Sequence, residues 1–539
     1  MRPPTTPHPS TEVRPVQRRR SCDIPAIAFG TVVIMWAAGY LCRMSPALVP
    51  AWAVLALLVV IQTTGGWVVG RWTARGMAGA AMTGMLTGAI NLLVLGAILA
   101  EGHSRTEQLI GVVGFLGVTV ALTLAGWVLG GRGARGGPHE MINWLGWFAK
   151  IAVLATGVLI IAGGLVTGHE AGLAVVDWPN TEGQLMFLYP LSKMTGGVYY
   201  EHAHRLYGAL VGLTTLALLI AIWRCDGAGG EPSAVRRQPS GGEEQESRRT
   251  GEQEGLRREA GDRGAEIRDR GVEATEHQDA KPSEPGTRNP ELGTPPTTRP
   301  TTTPPLASSL HFARPRPWLR AFAVAAFILV CIQGVLGGLR VTGKVTLSTD
   351  PAETQPQVIL AIVHGVTAQV FLAMMVSIAA FTSRAWRERS PLLTHPGAST
   401  DRTVSAVLVG TLLAQTLLGA TFRHLHNHPD YPQGAVTGVL HLHIVVAVVA
   451  LTLILFLGVR AWGMYRHQPR VHKNGQGLMH AVGMQILLGI VAMVAVLSRG
   501  ADEPIPWWEV LITTMHQALG AAMLALATLH AIWTRRLLA

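Results

Sequence analysis

Charged residues are scarce in this chain. Only 14% of its 539 residues are Asp, Glu, Lys or Arg, whereas 49% are hydrophobic, and the mean hydropathy is +0.31. Soluble globular domains carry about 25% charged residues, so the composition excludes an ordinary water-soluble protein. The few charges are also unevenly placed, because long apolar stretches separate short polar ones. This pattern predicts a membrane protein with many helical spans.

Cysteine is scarcer still. None of the cysteines falls in a loop that we expect on the outer side of the membrane, where disulfides form. We therefore expect no disulfide. Near the start of the chain, no short apolar core is followed by a small-residue cleavage site, so no cleavable signal peptide is predicted. The four cysteines are Cys22, Cys42, Cys225 and Cys331.

Twelve windows of the sequence are long and apolar enough to cross a lipid bilayer, for which about 20 residues are needed. They predict an all-α polytopic membrane protein. The predicted spans are 25–42, 47–70, 77–100, 109–130, 144–166, 200–223, 317–339, 358–382, 403–421, 438–460, 476–497 and 511–534.

Arginine and lysine cluster in alternate loops between these spans. Arg18–Arg20 precede the first span, Arg75 follows the second, and Arg535 and Arg536 follow the last. Such clusters mark cytoplasmic loops, so we expect both termini in the cytoplasm of a bacterial-type inner membrane. The pI of about 10.0 then reflects topology, and no nucleic-acid partner is expected.

The chain divides into five parts by composition. Residues 1–142 hold four spans whose role the sequence does not indicate, and residues 143–223 hold the first two spans of an eight-span core. Residues 224–316 are charged and rich in Pro and Thr, which predicts a disordered cytoplasmic linker. Residues 317–382 hold core spans three and four, and residues 383–539 a second four-helix bundle.

Four even-numbered spans of the core begin with a histidine in the pattern H-x-x-x-[GA]. The preceding odd spans repeat too, as "QGVLGGLRVTG", "QTLLGATFRH" and "QILLGIVAMV" show. The repetition predicts that the eight-span core is a two-helix unit used four times, or a four-helix bundle used twice. Four additional N-terminal spans precede this core. The histidines are His204, His364, His443 and His516.

The predicted topology places these four histidines at one depth, near the outer face. The small residue at i+4 lies on the same helix face and leaves a flat slot beside the imidazole, as a porphyrin ring requires. Histidine is an axial ligand of haem iron, and four-helix bundles build cofactor sites between facing helices. We therefore predict two haem sites with two histidine ligands each. A single histidine in such a place is more often only hydrogen-bonded.

Two arginines and several other histidines need separate interpretation. Arg340 and Arg423 end odd spans at the histidine depth and are candidates for binding haem propionates; alternatively they are interfacial anchors. His530 lies fourteen residues after His516, but no second span has this spacing, so we expect His480 and His530 to be interfacial. The run 424–428 contains three histidines, for which we favour a solvated outer loop over a transient metal site.

The first of these helix starts differs chemically from the others. In "GGVYYEHAHRLYGALVGL" (196–213), Glu201, His204 and Gly208 lie on one helical face, with Arg205 close by. The equivalent positions 361, 440 and 513 are Ala, Leu and Thr. This asymmetry suits an enzyme with one haem as substrate and another as cofactor, in which Glu201 is catalytic. Alternatively, Glu201 is an ion-pair partner of Arg205 that holds the start of the helix.

Three segments resemble the haem A synthase family. They are "GGLVTGHEAGLAVVDWPNTEG" (163–183), "MFLYPLSKMTGGVYYEHAHRLYGALVGL" (186–213) and "TTMHQALGAAMLAL" (513–526), and the resemblance covers 143–223 and 317–539. It implies an eight-span duplicated bundle that oxidises the C8 methyl group of haem O to a formyl group. The product, haem A, serves terminal oxidase assembly, so haem O synthase is an expected partner.

The same resemblance implies roles for individual residues. His443 and His516 would bind a resident haem b, whose propionates Arg340 and Arg423 could bind because of their position at the histidine depth. His204, His364 and Arg205 would form the substrate-haem site, where Glu201 would act with oxygen from O₂ or water. The electron donor and the oligomeric state stay open. The chain departs from the family in lacking cysteine pairs in 167–199 and 422–437, and in having Val-Thr-Gly at 166–168 where many members have Arg-Leu-Thr.

Three other functions compete with this one. A dihaem b-type electron-transfer cytochrome would use the same histidines but leave both haems unchanged. A transporter or haem-handling assembly protein would do no chemistry. A prenyltransferase would need aspartate-rich motifs that bind Mg²⁺ and pyrophosphate. No such motif is formed by the aspartates of the predicted loops, which are scattered singly, and this argues against a prenyltransferase. They are Asp177, Asp350, Asp401, Asp430 and Asp502.

Overall fold

The computed structural model describes most of the chain outside the predicted linker. The predictions for 224–316, and the basic cluster Arg18–Arg20, lie almost wholly outside the described residues. The described residues are 22–45, 47–100, 103–131, 142–226, 316–344, 350, 357–388, 392–426, 428, 430–500 and 503–539.

Twelve helices in the described part of the chain are long and apolar enough to cross a membrane. The protein is therefore an all-α polytopic membrane protein, as predicted. The second span begins at Ala51 rather than at 47, because Pro50 disfavours helical backbone in the residue before it. The helices are α1 (Asp23–Arg43), α2 (Ala51–Trp72), α3 (Met77–Ala100), α4 (Arg105–Gly131), α5 (Trp144–Gly168), α6 (Gly196–Cys225), α7 (Pro317–Thr342), α8 (Val358–Thr382), α9 (Ala398–Leu425), α10 (Gln433–Met464), α11 (Pro469–Ser498) and α12 (Trp507–Leu537).

The last eight helices pack as two rings of four. Each of α5–α8 contacts two neighbours within its ring, and α9–α12 repeat this arrangement. The rings meet where α12 packs against α5 and α8, and where α8 packs against α9. These contacts are those expected of a duplicated four-helix bundle.

The four N-terminal helices pack on one side of the first ring. Glycines let α2 and α4 approach closely, since a Cβ at Gly66, Gly70, Gly126 or Gly130 would clash with the backbone of the facing helix. α1 joins this group to the core, because it contacts α2 and α3 on one side and α5 and α6 on the other.

Buried carboxylates are paired with arginines at the end of the bundles opposite to the four histidines. Asp401 is 1% exposed and accepts hydrogen bonds from Arg460 at 2.6 and 3.1 Å. Asp226, after α6, binds Arg316, before α7, at 2.6 Å. The chain therefore leaves the bundle and returns to it at adjacent points on either side of the predicted linker.

A disulfide joins Cys22 and Cys225, so the prediction of none is wrong. Cys22 immediately precedes α1 and Cys225 ends α6, and the two helix ends lie side by side with Cα atoms 6.9 Å apart. The prediction failed because it considered only the loops at the histidine end. Proximity of helices that are distant in sequence is decided by tertiary packing.

The two histidines predicted to be interfacial have different environments. His480 is exposed, but His530 is only 1% exposed inside the second ring. The end of α12 is covered, because the backbone of Leu393 pairs with Leu537 and Ala539 through hydrogen bonds of 2.9 and 3.0 Å. His530 therefore does not reach a surface.

The loop charges make a testable prediction about orientation. Reporter fusions after residue 280 and after Ala539 should report a cytoplasmic position, whereas fusions near residues 188 and 430 should report the outer side, because Lys and Arg are retained in the cytoplasm. An outer position for residue 280 would invert the orientation and place the histidine end at the cytoplasmic face.

Candidate functional site

The four predicted histidines lie at the same end of the two rings, within the first three turns of α6, α8, α10 and α12. Each imidazole packs against a glycine on the preceding odd helix. In α7, α9 and α11 this glycine follows the repeated Gln by four residues. This spacing is a further sequence signal for the position of the histidines. The distances from His Cε1 to a Cβ built on the glycine are 3.0 Å for His204–Gly163, 3.3 Å for His364–Gly337, 3.0 Å for His443–Gly419 and 2.9 Å for His516–Gly489.

His204 and His364 face each other across the first ring. Their ring centroids are 6.3 Å apart and their planes are inclined at 85°. A metal–imidazole nitrogen bond is about 2 Å and the ring centre lies about 1 Å beyond the nitrogen, so two ligands on opposite sides of one metal have centres about 6 Å apart. The spacing of this pair would let both imidazoles bind a single metal ion.

His443 and His516 occupy the corresponding positions in the second ring, on α10 and α12. A glutamine from the neighbouring odd helix contacts each of them. Gln415 Nε2 lies 3.1 Å from His443 Nε2, and Gln485 Nε2 lies 3.3 Å from His516 Nε2. These glutamines hold the two rings at fixed orientations.

The environment of the four histidines fits two haem groups. The Nδ1 atoms of all four are buried without a hydrogen-bond partner, although buried polar atoms are nearly always paired. A Cβ added at Gly208, one turn below His204, would meet nothing within 4 Å. Each of the four rings therefore has one nitrogen free to bind iron, and the open space beside His204 would admit a flat macrocycle.

Glu201 is buried beside the first pair, only 2% exposed. Its Oε1 accepts a hydrogen bond from Arg205 Nε at 3.2 Å, and its Oε2 accepts one from Arg340 Nη2 at 3.4 Å. The Arg205 contact was predicted from the i, i+4 spacing. The Arg340 contact was not predicted, since Arg340 lies on another helix, α7, and its expected role was to bind a propionate or to anchor the helix at the interface.

Arg205 also binds the segment between α5 and α6, residues 169–195, which we call the cap. Its Nη atoms donate to the carbonyls of Val175, Asp177 and Asn180 at 2.8–2.9 Å. The cap contains a short hairpin of β1 (Asn180–Thr181) and β2 (Gln184–Leu185). Gly183 adopts a φ of 77°, which favours glycine. Arg205 therefore links Glu201, the candidate catalytic residue, to the cap.

The cap is well packed over the first ring. Asp177 is completely buried and accepts hydrogen bonds from the amides of Glu182 and Gly183 at 2.9 and 2.8 Å. The ring of Trp178 lies directly against Gly338 of α7, where any side chain would clash with it. Glu201 and His204 are thus covered from the side at which α6 begins.

The remaining histidines near this end lie outside the two pairs. His202 faces the cap, where its Nδ1 lies 3.0 Å from Thr181 Oγ1, and His441 is exposed. α9 continues to Leu425, so His424 is helical and the predicted outer loop begins later than expected. Burial lowers the pKa of His426. Among the described residues, no three His, Cys, Asp or Glu side chains converge as a metal site.

Arg423 and Glu509 lie near the second pair at the seam between the rings. Arg423 Nη2 donates to the carbonyl of Thr167 at 3.1 Å, at the C-terminus of α5, where a cation is favoured. Glu509 is 1% exposed, precedes His516 by two turns and binds Arg499 Nε at 3.1 Å. Glu509 was not predicted, because it lies seven residues before His516 and not three, the spacing of Glu201 from His204. The sequence signal for Glu509 is that it is a single acidic residue in the first turn of an otherwise apolar helix.

A short part of this chain is similar to a curated protein. The haem A synthase of Lysinibacillus sphaericus (strain C3-41) is 32% identical to it over 83 residues, which are 15% of this chain and 26% of that protein. The match thus spans about a quarter of the relative's length. No protein-family model matches the chain.

Proposed function

We propose that the protein is an integral-membrane oxidoreductase that converts the C8 methyl group of haem O to the formyl group of haem A. The pair His204–His364, with ring centroids 6.3 Å apart and the buried Glu201 one turn away, is the observation that carries this proposal. The name of the partial relative supports it. The second pair has its carboxylate two turns away, so the two sites differ.

The two pairs would have different ligands. His204 and His364 would bind the iron of the substrate, haem O, with Arg205 at the same site. His443 and His516 would bind a resident haem b, which supplies one-electron transfer when bound. Arg423 would bind propionates of the haem groups. Arg340 would do the same through the N–H groups that it does not donate to Glu201. The oxygen atom of the formyl group would come from O₂ or water.

Glu201 would act as the proton acceptor of the first site. Arg205 and Arg340 hold its two oxygens from different helices, so the carboxylate has a fixed position beside the histidine pair. A carboxylate so placed can accept a proton from a hydroxylated substrate carbon or orient a water molecule. Arg205 simultaneously fastens the cap, which limits the access of bulk water to the site.

Conversion of haem O in cells tests this function directly. Cells that make haem O but no haem A should accumulate haem A when the full chain is expressed, as measured by acid–acetone extraction and chromatography. Two retained haems with no new product would instead identify the dihaem electron-transfer cytochrome. No retained haem and no product would favour a transporter or assembly protein. Co-purification would then test haem O synthase as partner.

A further inference from the structure

The four N-terminal helices contact the first site indirectly, through the cap. The turn Met186–Leu188 of the cap packs against α3. The contact on α3 includes Gly96, where an added Cβ would lie 3.8 Å from the carbonyl oxygen of Phe187 and 4.0 Å from Leu188 Cδ2. A methyl group at this position would lie at ordinary contact distance from the cap, and a longer side chain directed the same way would displace the cap.

The same N-terminal group also holds the start of α6. Tyr199 Oη donates a 2.6 Å hydrogen bond to the carbonyl of Tyr40 on α1, and the two rings stack with centroids 5.3 Å apart. Tyr207 contacts Tyr40 and Trp36 of α1 edge-on, at 5.7 and 5.9 Å. Tyr199 and Tyr207 lie on either side of Glu201 and His204 along α6. The segment with the site residues is therefore fastened to α1 at both ends.

A continuous set of contacts leads from α3 to Glu201. α3 supports the cap at 186–188, the cap carbonyls of residues 175, 177 and 180 hold Arg205, and Arg205 holds Glu201. The cap thus has supports on the core, at α6 and α7, and another on the N-terminal helices, at α3. Loss of the support on α3 would loosen the cap at 186–188 and, through the cap, the carbonyls that hold Arg205.

We propose that the N-terminal helices position the cap over the first site, with Gly96 as a positioning residue that acts through Arg205 on Glu201. Their role is then to hold the closed arrangement of the site. The statement about the cap does not depend on the ligand. Only its effect on product formation rests on the proposed function.

Gly96→Leu tests the proposal by wedging α3 away from the cap. The backbone amides of Glu182 and Gly183 donate hydrogen bonds to Asp177. In the Gly96→Leu variant of the full chain, reconstituted in nanodiscs, the hydrogen exchange of these two amides should accelerate at least about tenfold. The amides near Tyr431 and those that pair Leu393 with Ala539 should keep their rates. Gly117→Leu on α4 is the matched control, because a Cβ there meets nothing within 4 Å.

Leu188→Ala removes the same contact from the cap side, so misfolding of α3 cannot mimic its effect. It should also accelerate exchange in the cap. In both variants, binding of haem O, followed by absorbance, should stay within about twofold, while the rate of haem A formation falls about tenfold, because only the orientation of Glu201 changes. Unchanged cap exchange in both variants, or equal acceleration at all reporter amides, overturns the proposal. Wild-type protein that makes no haem A refutes the proposed function but leaves the exchange result standing.

Discussion

Glu201→Gln is expected to lower haem A formation by about 10²–10⁴-fold, the usual contribution of a general acid–base residue. Glutamine keeps the size and one acceptor oxygen, but it cannot accept a proton and is neutral. Haem O or its alcohol should accumulate instead of the aldehyde, which extraction and chromatography would show. Binding of haem should persist, because the histidine pairs are unchanged.

Asp401→Asn is the matched control for this substitution. Removing one partner of a buried ion pair costs about 3–5 kcal/mol whatever its function, and Asp401 is as buried as Glu201 and also paired with an arginine. It lies at the opposite end of the bundles. If Glu201 only holds the start of α6, both variants should lose folded protein to a similar extent, and product per folded molecule should match the wild type in both. That result would leave Glu201 a structural residue.

Alanine substitutions should separate the two histidine pairs. His443→Ala or His516→Ala should lower the content of resident b-type haem by about tenfold or more, because even removing a residue that only supports a metal ligand costs 10–100-fold in affinity. His204→Ala or His364→Ala should leave most of that haem in place and abolish haem A formation. The low-spin absorbance of purified protein measures the first effect, and haem extraction the second.

His441→Ala and His480→Ala control for the loss of an imidazole from the same kind of helix. Both side chains are exposed, and neither belongs to a pair, so resident haem and product should stay near wild-type values. Equal loss of resident haem from His204→Ala and His443→Ala would contradict the division into substrate and cofactor sites. It would instead favour two equivalent haems, as in the electron-transfer cytochrome.

The residue spacing alone located several parts of the candidate site. The repeated H-x-x-x-[GA] pattern indicated four histidines at one depth, and the structure places them at equivalent positions of the two rings, where His204 and His364 face each other. The i, i+4 spacing indicated the contact of Glu201 with Arg205. Both are relations within one helix or between repeated units, for which the helical period fixes the geometry.

Other parts of the site depend on chain segments that are far apart in sequence. The pairing of Arg340 with Glu201, the contact of Arg423 with Thr167 and the disulfide between Cys22 and Cys225 each join different helices. The support of the cap by α3 is of the same kind. None has a signature in local spacing, because which helices become neighbours depends on the packing of all twelve.

The sequence by itself determined the class of this protein, its twelve spans, the repeat of its core and the four histidines. The length of an apolar segment and the 3.6-residue period of a helix are local properties, so they can be recognised in the sequence. Only the tertiary structure decided which arginines hold Glu201, that Glu509 is buried near the second pair, and that the N-terminal helices contact the cap. The physical reason is that side chains in a bilayer find their polar partners across helix interfaces, and close packing of small residues selects those interfaces.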